Sequence, residues 1–363
     1  MSGENLIERR KNEHLLIALE EEVEYRRKSS FLEFVELIHE ALPEISLSDV
    51  STQVEVWGFE LEAPLVIAGM TGGSRLAERV NRALARAAAE VGLALGVGSQ
   101  RAGIERPELK RTYEVVKEYS SKVPVIANIG ISQVVNGLSR EDALELVEMV
   151  NAAALAVHLN PLQEAVQPEG ETELRGSVRA LNRLVRESPV PVIAKETGAG
   201  VSKETAAKLI GAGVAGIDVG GAGGTNFALI EGLRALTRGD EEGWELAKTF
   251  SGWGIPTAAS ILEVRSVSSS ILLIATGGIR SGVDVAKAFR LGADLCGVAL
   301  PALRALFYLG YEGLVKLLKR YVRELKIALF LTGSATLSEL REKPVVVLGP
   351  LREWIEARKL KVP

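Results

Sequence analysis

The residues best able to do chemistry in this chain stand where apolar runs end. Lys195 closes VPVIAK, with Glu196 directly after it. A cation at the end of an apolar run needs an anion, a carbonyl or a dipole beside it. Glu196 could be that partner, in a rim ion pair. The functional reading instead makes Lys195 a Schiff-base lysine or a cation facing an electron-rich ring, and the sequence does not separate the two. A second cluster, His158-Leu159-Asn160-Pro161-Leu162-Gln163-Glu164, follows another apolar run. It offers donors to an anion, and Glu164 offers one carboxylate to Mg2+, which keeps waters and takes substrate phosphate oxygens as further ligands. His158 reads equally as a structural hydrogen-bonding residue. A third group is Gly277-Gly278 of ATGGIRSG, two glycines between a β-rich run and a helix-patterned segment. Backbone N–H groups can approach an anion closely there, at the positive end of the next helix. Cationic residues complete the set. Arg101 follows GVGSQ directly, whereas Arg9-Arg10-Lys11 and His14 stand on a charged N-terminal stretch of the kind that is usually a solvated face. Separated cations with His and Asn suit a diphosphate, Arg giving geometry and Lys point charge.

These residues need a scaffold that gathers strand ends. Apolar runs at 64–70, 93–98, 123–129, 154–159, 190–195, 215–219, 271–275 and 295–299 alternate with segments at 75–90, 109–119, 140–150, 176–187, 203–210 and 281–291 that carry apolar residues at three- and four-residue spacing. Repeated β then α predicts a parallel sheet with right-handed crossovers. An open doubly wound sheet is the other solution, but eight units with a phosphate cup at the last two favour a closed α/β (β/α)8 TIM barrel. Such a barrel presents Met70-Thr71, Ser99-Gln100-Arg101, Asn128, His158, Asn160, Lys195, Glu196 and Thr225 at one mouth. The expected organisation is an N-terminal extension over 1–63 with a short hairpin around Trp57-Gly58, a barrel over 64–335, and a tail over 336–363 packed outside. Residues 302–331 read as one or two long helices. The long connection 220–256 reads as a lid or partner surface.

Composition bounds the classes. With 363 residues, 47% hydrophobic and 25% charged, the chain reads as an ordinary globular protein. Its apolar runs are too short to span a membrane. A net charge of −4, from 43 Lys plus Arg against 47 Asp plus Glu, gives no basic field for nucleic acid. One cysteine and a charged, signal-free start imply a reducing cytoplasmic setting.

The motifs together resemble the type 2, flavin-dependent isopentenyl diphosphate isomerases. The resemblance runs from RRKNEH through ALPEI, APLVIAGMTGGS, GVGSQRAGIE, IANIG, HLNPLQEAVQPEG, AKETGAG, GGAGGTNFALIE, WGIPT and ATGGIRSG to GVALP, and HLNPLQEAVQPEG and GSQRAG are its specific pieces. It implies a TIM barrel that holds FMN and interconverts isopentenyl and dimethylallyl diphosphate, with Mg2+ on Glu164 and NADPH or NADH needed only to reduce the flavin. Carried over residue by residue, it gives Gly69, Met70, Thr71, Ser99, Asn128, Lys195, Thr225, Gly277, Gly278, Ile279, Arg280, Ala299 and Leu300 to FMN. Arg10, Lys11, His14, Ser99, Gln100, Arg101, His158, Asn160 and Gln163 go to the substrate. Lys195, Gln163, Glu231 and His158 are the implied catalytic residues, Glu231 as a helper of proton traffic. The N-terminal extension becomes a flap over the diphosphate, and a homotetramer or homo-octamer is implied. Asn226-Phe227 departs from the Ser-Trp common in the family. Two other readings are an FMN oxidoreductase of the 2-hydroxy-acid oxidase kind, working through a substrate-oxidising His, and a non-enzymatic flavin-binding barrel.

Overall fold

The computed structural model describes residues 6–363; the first five residues of the expected 1–63 extension lie outside the described residues. Eight strands close into a parallel barrel in chain order: β1 (Leu65–Ile67), β2 (Ala94–Gly96), β3 (Val125–Gly130), β4 (Ala154–Leu159), β5 (Val192–Glu196), β6 (Gly216–Asp218), β7 (Leu272–Thr276) and β8 (Leu295–Val298). β8 pairs with β1 through Cys296 and Leu65, so no sheet edge remains in the barrel. Each strand lies on one of the eight apolar runs, and the closed barrel rather than the open sheet is formed. Burial on both faces explains the unbroken apolar runs: all six residues of β3 are buried.

Helices cover the barrel where the apolar spacing places them. Arg75–Val91 begins at Ser74, whose side chain accepts from the Ala77 N–H, and ends at Gly92 in the left-handed region. The expected helix at 109–119 is different, because it splits into Pro107–Leu109, Arg111–Glu114 and Lys117–Tyr119. Asn81 Nδ2 takes the Thr112 carbonyl at 2.9 Å, and the Val116 N–H bonds Tyr113 O instead. A tertiary hydrogen bond thus removes the acceptor that would have carried the helix on.

The connection 220–256 is not an irregular loop. Asn226 caps a helix at Phe227–Thr237 and Asp240 caps another at Glu241–Phe250. The pair packs tightly: a Cβ at Gly232 would lie 2.3 Å from Ala247 Cβ. A further helix, Thr257–Arg265, leads into β7.

The segments flanking the barrel are joined to it and to each other. A two-stranded hairpin, Val54–Val56 with Phe59–Leu61, turns at Trp57 and Gly58, both at positive φ. Its Val56 and Leu61 pack against Val66, Ala94, Ile126, Ala154 and Leu295 and so plug the N-terminal end of the barrel. The helix Leu6–Glu20 lies at the opposite mouth. Residues 23–30 then cross the β6 loop, with Tyr25 N donating to Gly224 O and Asn226 N to Val23 O. Val35–Leu37 pairs antiparallel with Val345–Val347, so extension and tail share a small sheet. Arg358 and Trp354 of the tail both bond the buried Glu263 carboxylate. The long segment Leu300–Leu331 is two helices joined at Gly310, which has φ 71°. Among the described residues no helix is long and apolar enough to cross a membrane.

Candidate active site

The C-terminal ends of the strands surround a cavity of about 700 Å³, roofed by Arg10, Lys11, His14 and Leu15 of the N-terminal helix. Lys195 rises from β5 into its centre. Neighbouring residues on a strand point to opposite faces, and Glu196 accordingly turns away. It is buried, and its Oε2 accepts the N–H groups of Gly198, Ala199 and Gly200, an arrangement that folds the β5 loop; burial outweighs these bonds and raises its carboxyl to about 7. The expected Lys195–Glu196 pair is therefore replaced. Asp218 lies opposite Lys195 in the β5–β6 register, and its Oδ2 sits 2.8 Å from Lys195 Nζ. The same oxygen accepts from Thr276 Oγ1 at 3.0 Å, and Oδ1 accepts from the Gly220 N–H at 3.2 Å.

His158 belongs to the wall, and its Nδ1 lies 2.8 Å from Asn128 Oδ1. Burial, then Lys11 and Lys195, push the imidazole down to about 3. It is neutral at physiological pH, with Nδ1–H donating to the amide oxygen and Nε2 left as an acceptor. Asn128 is itself fixed, Nδ2 donating to Val97 O.

After β4, Pro161 starts a short helix, Pro161–Val166, that carries Gln163 and Glu164 into the cavity. Asn160 Nδ2 donates to Gln163 Oε1 at 3.2 Å and to Glu164 Oε1 at 2.8 Å. Gln163 Nε2 donates to Glu231 Oε1 at 2.8 Å, and His14 Nε2 is 2.9 Å from that oxygen. Glu231 is fully buried just behind the wall. Burial pushes its carboxyl up, but His14, Arg234 and Gln163 outweigh this and hold it at about 2.

Three cations converge above this group. Burial, then Arg10 and Arg101, lower the Lys11 ammonium to about 8. Arg101 is braced by Glu105 and Glu171, each at 2.6 Å. Among the described residues no set of three His, Cys, Asp or Glu side chains could hold a metal.

The other half of the cavity is made of backbone. A Cβ at Gly278 (φ 76°) would meet Gly223 O at 2.7 Å, and one at Gly224 would meet Gly278 N at 2.5 Å, so the β6 and β7 loops interlock as a cradle. The helix from Leu300 points its N-terminus at the same place. Arg280 stands beside the cradle, paired with Glu24. Across the mouth, a Cβ at Gly69 would lie 2.1 Å from Val97 O, so the ends of β1 and β2 pack backbone to backbone beside Met70, Ser99 and Asn128.

Most expected site residues meet here: Gly69, Met70, Ser99, Asn128, Lys195, Thr225, Gly277, Gly278, Arg280, Ala299, Leu300, Arg10, Lys11, His14, Arg101, His158, Asn160, Gln163 and Glu164 all line the cavity. Gln100 does not. Its amide is fully buried between the Asn128 N–H and Leu146 O, as a brace of the β3 strand. Ile279 and Thr71 are buried behind the lining, and Thr71 Oγ1 finds no partner among the described residues. Asn226 caps its helix from a buried position and Phe227 alone of that pair faces the cavity, edge-on to His14. Two residues were missed in the sequence, Asp218 and Arg234. Asp218 stands inside the apolar run 215–219, one residue before its end, and a carboxylate within such a run is the signal that marks it.

Comparisons with known proteins place the chain. Residues 128–347 match the family model of FMN-dependent dehydrogenases. The chain is 49% identical over 354 residues to an isopentenyl-diphosphate delta-isomerase of Methanopyrus kandleri, covering 96% of this chain and 94% of that one. It is 45% identical over 356 residues to one of Thermococcus kodakarensis, with 96% and 94% covered. Among solved structures, a mandelate oxidase mutant with a monooxide FMN adduct superposes with TM-score 0.62 at 20% identity (93% and 92% covered), and a putative lactate oxidase of Pediococcus acidilactici with TM-score 0.66 at 15% identity (96% of each). The oxidases share the barrel; the close relatives share the sequence throughout, and by that measure the chain belongs to the isopentenyl-diphosphate delta-isomerases, in their FMN-dependent type 2 family.

Proposed function

We propose that this protein interconverts isopentenyl diphosphate and dimethylallyl diphosphate without net oxidation, using reduced FMN, in isoprenoid biosynthesis. The observation that carries this reading is the joining, in one cavity, of a glycine cradle with a convergent Arg10, Lys11 and Arg101 cluster. The cradle fits FMN: its glycines leave no room for a Cβ where a phosphate needs backbone N–H groups, and the helix from Leu300 begins at the same cavity. The reaction adds a proton at C4 and removes one from C2. When bound and reduced, FMN supplies acid and base for these transfers beside an electron-rich ring.

The chain's own residues bind, orient and exclude. Lys195, fixed by Asp218, would offset negative charge on the bound reduced flavin. Arg10, Lys11, Arg101 and His14 take the diphosphate, with Ser99, Asn160 and neutral His158 as hydrogen-bonding partners. Glu164, oriented by Asn160, would hold Mg2+, which would offset charge on a bound diphosphate. Gln163 and Glu231, already bonded to each other, keep an acceptor near the alkene. Within the extension 1–63, the helix Leu6–Glu20 acts as the flap that shuts water from the reacting carbons, while 64–335 form the flavin barrel and 336–363 the packed tail. NADPH or NADH serves only to reduce the flavin. A cytoplasmic homotetramer or homo-octamer is the assembly we expect.

The 2-hydroxy-acid oxidase reading needs a histidine that takes a proton. His158 is held near 3 and is a weak base at neutral pH, which disfavours that reading. An anaerobic reaction with isopentenyl diphosphate, FMN, Mg2+ and limiting NADPH, followed by NMR, tests the proposal. Dimethylallyl diphosphate far in excess of NADPH is expected; one NADPH consumed per product would overturn it.

A further inference from the structure

Arg234 carries a role that the site residues above leave unassigned. It is among the largest fully buried side chains and only 2% exposed. A buried guanidinium needs a partner for each of its faces, and here each nitrogen has one from a different part of the chain. Nη1 bonds Glu231 Oε2 on its own helix, Nη2 bonds Glu169 Oε1 in the loop after β4 at 2.6 Å, and Nε bonds Glu13 Oε2 on the N-terminal helix at 3.2 Å. Arg238 adds a more exposed contact to Glu13 and lies 3.7 Å from Glu169. Glu13 is two residues from Lys11 and adjacent to His14, and Glu231 holds Gln163. The guanidinium therefore stands at the junction of the helix that roofs the cavity, the loop that carries Gln163 and Glu164, and the carboxylate behind them.

We infer that Arg234 is a positioning residue that couples docking of the N-terminal helix on a diphosphate to the placement of the Gln163–Glu231 pair. When Arg10 and Lys11 engage an anion, their helix is drawn down, and the Glu13 to Arg234 bond carries that docking to Glu231. The inference rests on the diphosphate reading of the cavity. It also predicts an altered acid limb: Glu231 is faced by His14 and Glu13 of the N-terminal helix, by Gln163 and Glu169 of the β4 loop, and by Arg234 and Arg238 of its own helix. His14, Arg234 and Gln163 contact the carboxylate directly and together keep it ionised, so removing Arg234 moves the acid limb of kcat to higher pH.

The test compares FMN-loaded full-length wild type, Arg234→Met, Arg234→Lys and Glu13→Gln. Amide hydrogen exchange over residues 6–20 is read with and without inorganic pyrophosphate, alongside KM, kcat and the pH profile for isopentenyl diphosphate. In the wild type, pyrophosphate increases protection of 6–20. In Arg234→Met that increase is lost, pyrophosphate binds about tenfold more weakly, and the acid limb rises; Arg234→Lys restores part of each. Glu13→Gln removes one arm at a partly exposed position, so it reads the coupling even if Arg234→Met fails to fold: it loses the pyrophosphate-induced protection with its flavin content unchanged. Full pyrophosphate-induced protection in Glu13→Gln, or an unmoved acid limb in a folded Arg234→Met, overturns the inference. If the wild type binds pyrophosphate with protection of 6–20 but makes no dimethylallyl diphosphate, the isomerase reading fails and the coupling stands.

Discussion

The two halves of the cavity are built from different materials. On the β6 to β8 side the walls are glycine backbone held by strand register, with no atom to spare where the β6 and β7 loops interlock. On the β2 to β4 side, and in the helix above, they are charged side chains from separate elements, braced by carboxylates such as Glu105 and Glu171. The first kind of site is fixed by geometry and indifferent to pH. The second is set by balances of charge that pH, salt and ligand can move.

The sharpest challenge to this contrast is the one ion pair on the floor between the halves. Asp218→Asn leaves Lys195 without its anion at a position only 14% exposed, and a loss of about 3 kcal/mol in unfolding free energy is expected by denaturant titration. A change within experimental error would mean that Lys195 is stabilised by water rather than by the pair. Gly278→Ala puts a methyl within 2.8 Å of Ser30 Cβ at a strained φ, and should cost about 2 kcal/mol and strip the flavin, read from the visible absorbance of the purified protein. Arg101→Gln should raise KM for isopentenyl diphosphate about tenfold with flavin content unchanged. Loss of flavin in that variant would show the halves to be one unit.

A smaller effect follows from Lys11. Its pKa is lowered to about 8, so as pH rises through that value the ammonium loses its proton and diphosphate affinity falls; bound diphosphate raises the pKa, and binding takes up protons. KM is expected to climb above pH 8 while flavin retention stays level. Lys11→Arg, which cannot deprotonate, should flatten the climb. Added salt should raise KM by roughly twofold and leave flavin content alone, the smallest of these effects.

The barrel was legible because its strands are buried on both faces, which makes each an apolar run that stops where a polar or glycine residue faces the mouth. Register was not. Lys195 pairs with Asp218 because β5 and β6 align those two residues, and one chain read alone carries no cross-strand alignment. The alternation of side chains along a strand could still have excluded Glu196 as the partner. Gln100 sat in a legible motif, but its side chain turned inward to the β3 backbone, a choice made by the unpaired Asn128 N–H. The connection 220–256 hid two helices because their caps, Asn226 and Asp240, were set among glycines that read as loop. Arg234 was invisible for a further reason: its three carboxylates lie 3, 65 and 221 residues away.

The hairpin that stoppers the barrel makes the cavity a cul-de-sac. Val56 and Leu61 close the N-terminal end of the barrel, and the cradle and the cationic cluster share the mouth beneath the N-terminal helix. Both ligands pass that mouth, so a diphosphate held there by Arg10 and Lys11 stands in the way of a departing flavin. Saturating diphosphate should therefore slow flavin release in a stopped-flow exchange, and the enzyme keeps hold of its cofactor best when it is busiest.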